Sequence, residues 1–209
     1  MTGGVRSGKS RHAESLLAGL SSVAYVAPGP TLEEDPDPDW AARLASHRAQ
    51  RPSSWHTVET RDLAGALTGG LAPDRTGDAG AVGETAAARD ASAVGDTSAA
   101  GDTSAARDTG VIVDCLGTWL TGVMDAHGLW ETSTDEATAV VSGLVDDAAA
   151  ALGRRHGDVV LVTNEVGLGV VPAHRSGRLF RDLLGMVNQR MAEACDEVHL
   201  VIAGRVLKL

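Results

Sequence analysis

Eight residues near the start of the chain, Gly3-Gly4-Val5-Arg6-Ser7-Gly8-Lys9-Ser10, satisfy the pattern G-x-x-x-x-G-K-[ST]. Each residue type in it has a chemical use. Glycines let the backbone turn tightly, so that successive N–H groups converge on an anion. Lys9 supplies a compact charge for the outer phosphates of a nucleotide, and the Ser10 hydroxyl can ligate the accompanying Mg²⁺. A helix expected from about Arg11 adds its positive end to the same anion site. The rest of the chain strengthens this reading. It has only two lysines, Lys9 and Lys208, against sixteen arginines. A composition that otherwise uses arginine has placed lysine where a small phosphate-binding charge is needed.

Other residues could serve the same chemistry. Gly110-Val-Ile-Val-Asp114 describes a central strand whose carboxylate emerges at its C-terminal end. A second Mg²⁺-holding acid is expected there in a phosphate-loop enzyme. His47 lies on a predicted helix with Trp40 and Leu44 on the same face, and Arg43 and Arg51 flank it by four residues. Spacing alone leaves it either a half-packed surface histidine or a reactive one. Asn164-Glu165-Val166-Gly167-Leu168-Gly169-Val170-Val171-Pro172 follows another apolar run, at the sheet edge where open α/β folds bind ligands. Glu165 could be a base, a substrate contact or a capping acid.

The elements that must position these groups alternate. Strands are expected at Val23–Ala27, Trp55–Glu59, Gly110–Asp114, Val159–Thr163 and Glu197–Ala203. Helices are expected at Arg11–Leu20, Asp39–Gln50, Arg61–Leu67, Leu116–Ala126, Asp135–Arg155 and Arg175–Cys195, with Gly204–Leu209 as a tail. Strands separated by helices predict an α/β domain, its mostly parallel sheet covered by helices on both faces. Only Met1 and Thr2 precede Gly3, so the strand from which a phosphate loop hangs is expected to be missing. Residues 74–109 differ in kind. They are Ala, Gly, Asp, Thr and Ser in near-repeats such as Gly95-Asp-Thr-Ser-Ala-Ala and Gly101-Asp-Thr-Ser-Ala-Ala, without Leu, Ile or aromatic residues. Such a segment buries too little apolar surface to offset its ordering entropy, and reads as a disordered insert in one domain spanning 1–209.

Bulk properties narrow the function. A net charge of −10 argues against a general nucleic-acid binder. Cys115 and Cys195 are the only cysteines, which suits a reducing cytoplasm without a disulfide framework. No apolar run reaches membrane-spanning length, no signal peptide is visible, and no zinc-ligand spacing occurs.

Several motifs in order resemble one family. They are Thr2-Gly-Gly-Val-Arg-Ser-Gly-Lys-Ser-Arg11; His47-Arg-Ala-Gln-Arg-Pro52 with Trp55, Thr57 and Glu59; Asp114-Cys-Leu; Val162-Thr-Asn-Glu-Val-Gly167 through Pro172; Phe180-Arg-Asp182; and Val187-Asn-Gln-Arg190. The chain is similar to the bifunctional adenosylcobinamide kinase/adenosylcobinamide-phosphate guanylyltransferases of cobalamin biosynthesis. The resemblance implies a P-loop NTPase fold of the RecA-like kind. It implies phosphorylation of the aminopropanol hydroxyl of adenosylcobinamide by a nucleoside triphosphate, then GMP transfer from GTP through a GMP–histidine at His47. A neutral imidazole is a competent nucleophile for that step. The resemblance further implies nucleotide contacts from Gly3 through Ser10 and from Arg48, Ala49, Gln50, Arg51, Glu59 and Asp114. Lys9 is then catalytic, and Ser10 and Asp114 hold Mg²⁺, with GTP and ATP as substrates. A cytoplasmic homo-oligomer, a trimer, is expected. The chain departs from the family in the insert and in Ala27-Pro28-Gly29 at the end of the second strand. The alternatives are a phosphate-loop kinase for another small molecule, or a catalytically impaired nucleotide-binding module.

Overall fold

The computed structural model describes residues 1–49, 51–68 and 109–209. The insert expected over 74–109 therefore lies outside the described residues, except for Thr109, and so does Gln50. In chain order the elements are β1 (Thr2–Gly3), α1 (Lys9–Leu17), β2 (Ser22–Ala27), α2 (Pro38–Ala49), β3 (Trp55–Glu59), α3 (Leu63–Thr68) and β4 (Thr109–Asp114). They continue with α4 (Leu116–Ala126), α5 (Thr134–Arg154), β5 (Val159–Val162), α6 (Arg175–Glu193), β6 (His199–Ile202) and β7 (Arg205–Lys208).

Four strands form a parallel sheet in the order β3-β2-β4-β5, and three more run β1-β6-β7, with only β7 antiparallel. Backbone hydrogen bonds join the two groups. Met1 N donates to Leu161 O (2.8 Å), Thr163 N to Met1 O (2.9 Å) and Glu165 N to Gly3 O (3.0 Å). The first strand is thus present, contrary to the expectation of its absence. Two residues suffice because β5 on one side and β6 on the other both bond to it.

Side-chain alternation sorts the core into two layers, as the period of a strand requires. Ala24, Val26, Val111, Val113 and Leu161 face α3, α4, α5 and α6 in the larger cluster. Val23, Tyr25, Ile112 and Val162 face Ala13 and Leu17 of α1. Helices therefore cover both faces, as expected of a parallel sheet. The expected tail Gly204–Leu209 is instead the turn and strand of a hairpin with β6. Ala203 and Gly204 take positive φ of 49° and 75° at that turn, the conformation that matches the twist of paired strands. All four residues of β7 are exposed, so no apolar burial pattern marks them as a strand.

Pairing register aligns the functional ends. Ala27 pairs with Glu59 and Val26 with Val113, while Asp114 pairs with Val162. Glu59, Ala27 and Asp114 therefore leave the sheet at one edge, the same edge from which β1 enters the phosphate loop.

Candidate active site

The loop between β1 and α1 is shaped by its glycines. A Cβ on Gly3 would sit 2.4 Å from Val201 O of β6, so the close approach of the strands excludes a side chain. Gly8 has φ of 94°, which other residues rarely adopt. Arg6 is also in the left-handed region, at 57°, a strained conformation of the sort found at binding loops. The turn is closed by Ser7 N donating to Gly4 O (3.3 Å). From the other side, Gly204 N of the β6–β7 turn donates to Ser7 O (2.8 Å).

Helix α1 begins two residues earlier than the sequence suggested, which puts Lys9 and Ser10 in its first turn. No side chain caps its N-terminus and no acid lies in that turn. Its leading N–H groups are therefore left for an anion. Lys9 is 9% exposed, and its Nζ donates only a long bond, 3.3 Å, to Gly4 O. Among the described residues no carboxylate pairs with it. A buried ammonium held by one carbonyl calls for an anionic partner.

The loop opens into a cleft of about 440 Å³, a volume that suits a nucleotide. Val5, Arg6, Ser7, Gly8, Lys9, Ser10, His47, Arg51, Glu59 and Asp114 all line it. Gly3, Gly4, Arg48 and Ala49 do not reach its wall. Arg48 instead pairs with Glu59, on the rim. Three buried polar atoms of wall residues, Ser7 Oγ, Arg51 Nε and Asn164 Oδ1, have no hydrogen-bond partner. Buried polar groups are normally paired, so these three also point to a polar ligand.

Asp114 is the centre of a small network. Tyr25 OH donates to Asp114 Oδ2 at 2.6 Å. Burial, and then the negative charge of Asp114, push the Tyr25 hydroxyl far above the usual phenol range, so it stays a donor. The Arg51 guanidinium lies 3.2 Å above the Tyr25 ring and donates from Nη1 to Thr57 Oγ1 at 2.9 Å. His47 Nδ1 is 4.0 Å from the same Asp114 Oδ2. Burial first, and then the Asp114 charge, also raise Glu14, a cleft residue on α1. Mg²⁺ accepts few protein oxygens and keeps waters and phosphates as its other ligands. Ser10 and Asp114 offer a hydroxyl and a carboxylate in one cleft, a hard-oxygen pair of that kind. Among the described residues no cluster of three or more His, Cys, Asp or Glu could hold a metal.

Sequence reasoning missed Tyr25 and Glu14 as cleft residues; it put Trp40 on the face of His47 and Asn164 at the ligand-binding sheet edge, but gave neither a role. Tyr25 gave one signal: a tyrosine in a fully apolar strand must find a partner for its hydroxyl. Which partner depends on the register of β2 against β4, and spacing does not encode that. Trp40 Nε1 donates to Pro30 O (3.0 Å), and its ring packs on Gly29. These contacts pin the start of α2, a helix that gives no residue to the buried apolar core among the described residues.

Comparison with known proteins points one way. The family model described as cobinamide kinase / cobinamide phosphate guanyltransferase matches residues 1–75 and 91–209. The bifunctional adenosylcobalamin biosynthesis protein CobU of Salmonella typhimurium is 36% identical over 214 residues, spanning 100% of this chain and 97% of that protein. The protein of the same name from Escherichia coli is 33% identical over 216 residues, with the same shares. The bifunctional adenosylcobalamin biosynthesis protein CobP of Pseudomonas aeruginosa is 32% identical over 209 residues, covering 99% and 94%.

Proposed function

Since the chain belongs to the cobinamide kinase / cobinamide phosphate guanyltransferase family, we propose that one cleft, the one at the phosphate loop, serves both reactions in turn. One observation carries this reading. The phosphate loop, His47 and Asp114 line the same cleft, with His47 Nδ1 4.0 Å from Asp114 Oδ2. In the kinase step the substrate hydroxyl oxygen attacks the γ-phosphorus and gives up its proton to solvent, while the bond to the β-phosphate oxygen breaks and the nucleoside diphosphate leaves. Lys9 and the N–H groups of α1 stabilise the charge that develops on the phosphates. Mg²⁺ held by Ser10 and Asp114 neutralises phosphate charge when bound.

In the transfer step, a proton on His47 Nδ1 faces the Asp114 carboxylate and leaves the Nε2 lone pair free. Nε2 attacks the α-phosphorus of GTP, and pyrophosphate leaves. The phosphate oxygen of the phosphorylated substrate then displaces histidine and carries GMP away. Arg51, held over Tyr25, offsets charge on the α-phosphate. The chain acts as one domain, in the cytoplasm and as a homotrimer. Its two cysteines are unpaired, which suits a reducing compartment. No helix among the described residues is long and apolar enough to cross a membrane.

α-Labelled GTP with Mg²⁺ should leave an acid-labile, alkali-stable label on the protein. His47→Ala should lose the label while retaining phosphorylation of cobinamide from γ-labelled nucleotide. Lys9→Ala should lower kcat/KM for phosphorylation by about 10²–10³-fold, the usual loss on removing one donor from a charged transition state. An unlabelled wild type, or an undiminished label on His47→Ala, rejects the covalent route.

A further inference from the structure

A short run past β5 carries large apolar side chains into solvent. Leu168 is 85% exposed, Val170 94% and Val171 61%. The run is nonetheless well held at its base. Glu165 N donates to Gly3 O, and Gly167 N to Glu165 Oε1 at 2.6 Å. At the far end Arg178 Nη1 donates to Pro172 O (3.1 Å) and Ala173 O (2.6 Å). A braced backbone that shows aliphatic groups to water is the form of a binding surface.

Its position says what it binds. The run starts two residues after Asn164, a wall residue of the nucleotide cleft, and is tied to the first glycine of the phosphate loop. Val5, 75% exposed, stands on the rim of that cleft. A cleft of about 440 Å³ has room for a nucleotide but not for a corrin macrocycle as well. The acceptor ring must therefore rest outside and reach in with its aminopropanol arm. A corrin has a broad apolar face fringed by uncharged amides. Residues 166–173, Val-Gly-Leu-Gly-Val-Val-Pro-Ala, contain no charged side chain, a neutral apolar match.

Resting on the family function given above, we propose that Leu168, Val170 and Val171 form the platform on which the corrin ring of the acceptor docks. Its contacts are made by the macrocycle and not by the nucleotide.

The test compares the wild type with the double variant Leu168→Ser, Val170→Ser, and with Val170→Thr, which keeps the branched shape. Both sites are exposed, so folding should survive. KM for cobinamide should rise roughly tenfold or more in the double variant, as expected when two apolar side chains lose buried contact, and less in Val170→Thr. GMP labelling of the protein, KM for GTP, and phosphorylation of free 1-amino-2-propanol should not change. An unchanged KM for cobinamide in an active enzyme overturns the platform alone. So does a shift in oligomeric mass by light scattering with KM unchanged, which makes the surface a self-contact. A wild type that turns over no cobinamide overturns the platform and the family reading together.

Discussion

Tyr25 illustrates how much a single hydroxyl can organise. It donates to Asp114 Oδ2, and the same oxygen faces His47 Nδ1. In Tyr25→Phe the carboxylate loses that donor while remaining about 10% exposed. Stability should fall by about 1–3 kcal/mol, the range for a hydrogen bond to a buried charged group, measured by urea unfolding. The rate of GMP labelling should fall with it; an unchanged rate would show that Asp114 keeps its orientation without Tyr25. A second residue-scale prediction concerns His12, on the side of α1 away from the cleft. His12 Nε2 lies 3.0 Å from His199 Nδ1, and His199 Nε2 lies 2.9 Å from Glu197 Oε2. Neutral rings satisfy the chain: His199 donates to Glu197 and accepts from His12. Burial foremost, then His199, Lys208 and the Met1 amino group, hold His12 below its ordinary 6.5. The folded pKa is the lower one, so this stability is present above pH 6.5 and is lost as pH falls through that value. The melting temperature of His12→Gln should therefore drop less between pH 8 and pH 5.5 than that of the wild type. At this scale the sequence was legible where a motif fixes spacing, as for Lys9 and Asp114. It was not legible for Tyr25, whose role comes from strands meeting across long separations.

The phosphate loop is braced by the β6–β7 hairpin, an element that reads from sequence as a tail. The turn places Gly204 N on Ser7 O, and the Gly204 backbone lies against Gly8. Gly204 needs its positive φ of 75°. Gly204→Ala should cost about 1–2 kcal/mol, the penalty for a side chain in the left-handed region. Because the strain falls on the turn that holds the loop, KM for GTP should rise as the melting temperature falls. A lowered melting temperature with unchanged KM would show that the loop stands without the hairpin. The helices were read to within a few residues at their ends because their apolar faces recur at helical spacing; α4 matched at both. β7 escaped because it has no buried face, and β1 because two residues hold no pattern. Both exist through backbone pairing alone, which periodicity cannot reveal. Helix α2 was legible as a helix, but its place beside Asp114 rests on Trp40, Arg48 and His47 contacts with distant segments.

Taken whole, the molecule is an α/β sheet in which an interior strand, β1 between β5 and β6, comes first in the described order. The parallel order was foreseeable from alternating strands and helices, and the shared edge at Glu59, Asp114 and the loop follows from that order. The position of β1 has a temporal consequence. Its partners, β5 and β6, begin at Val159 and His199, so the phosphate loop is made early but braced last. At about 5–20 residues per second, ribosomal synthesis leaves on the order of ten to forty seconds between Ser7 and the Gly204 that holds it. Until β5 is made the segment before the loop has neither strand neighbour, and until β6 is made it has only one. The loop that leads the chain is thus held in place by backbone made nearly two hundred residues later, as Gly204 N closes on Ser7 O.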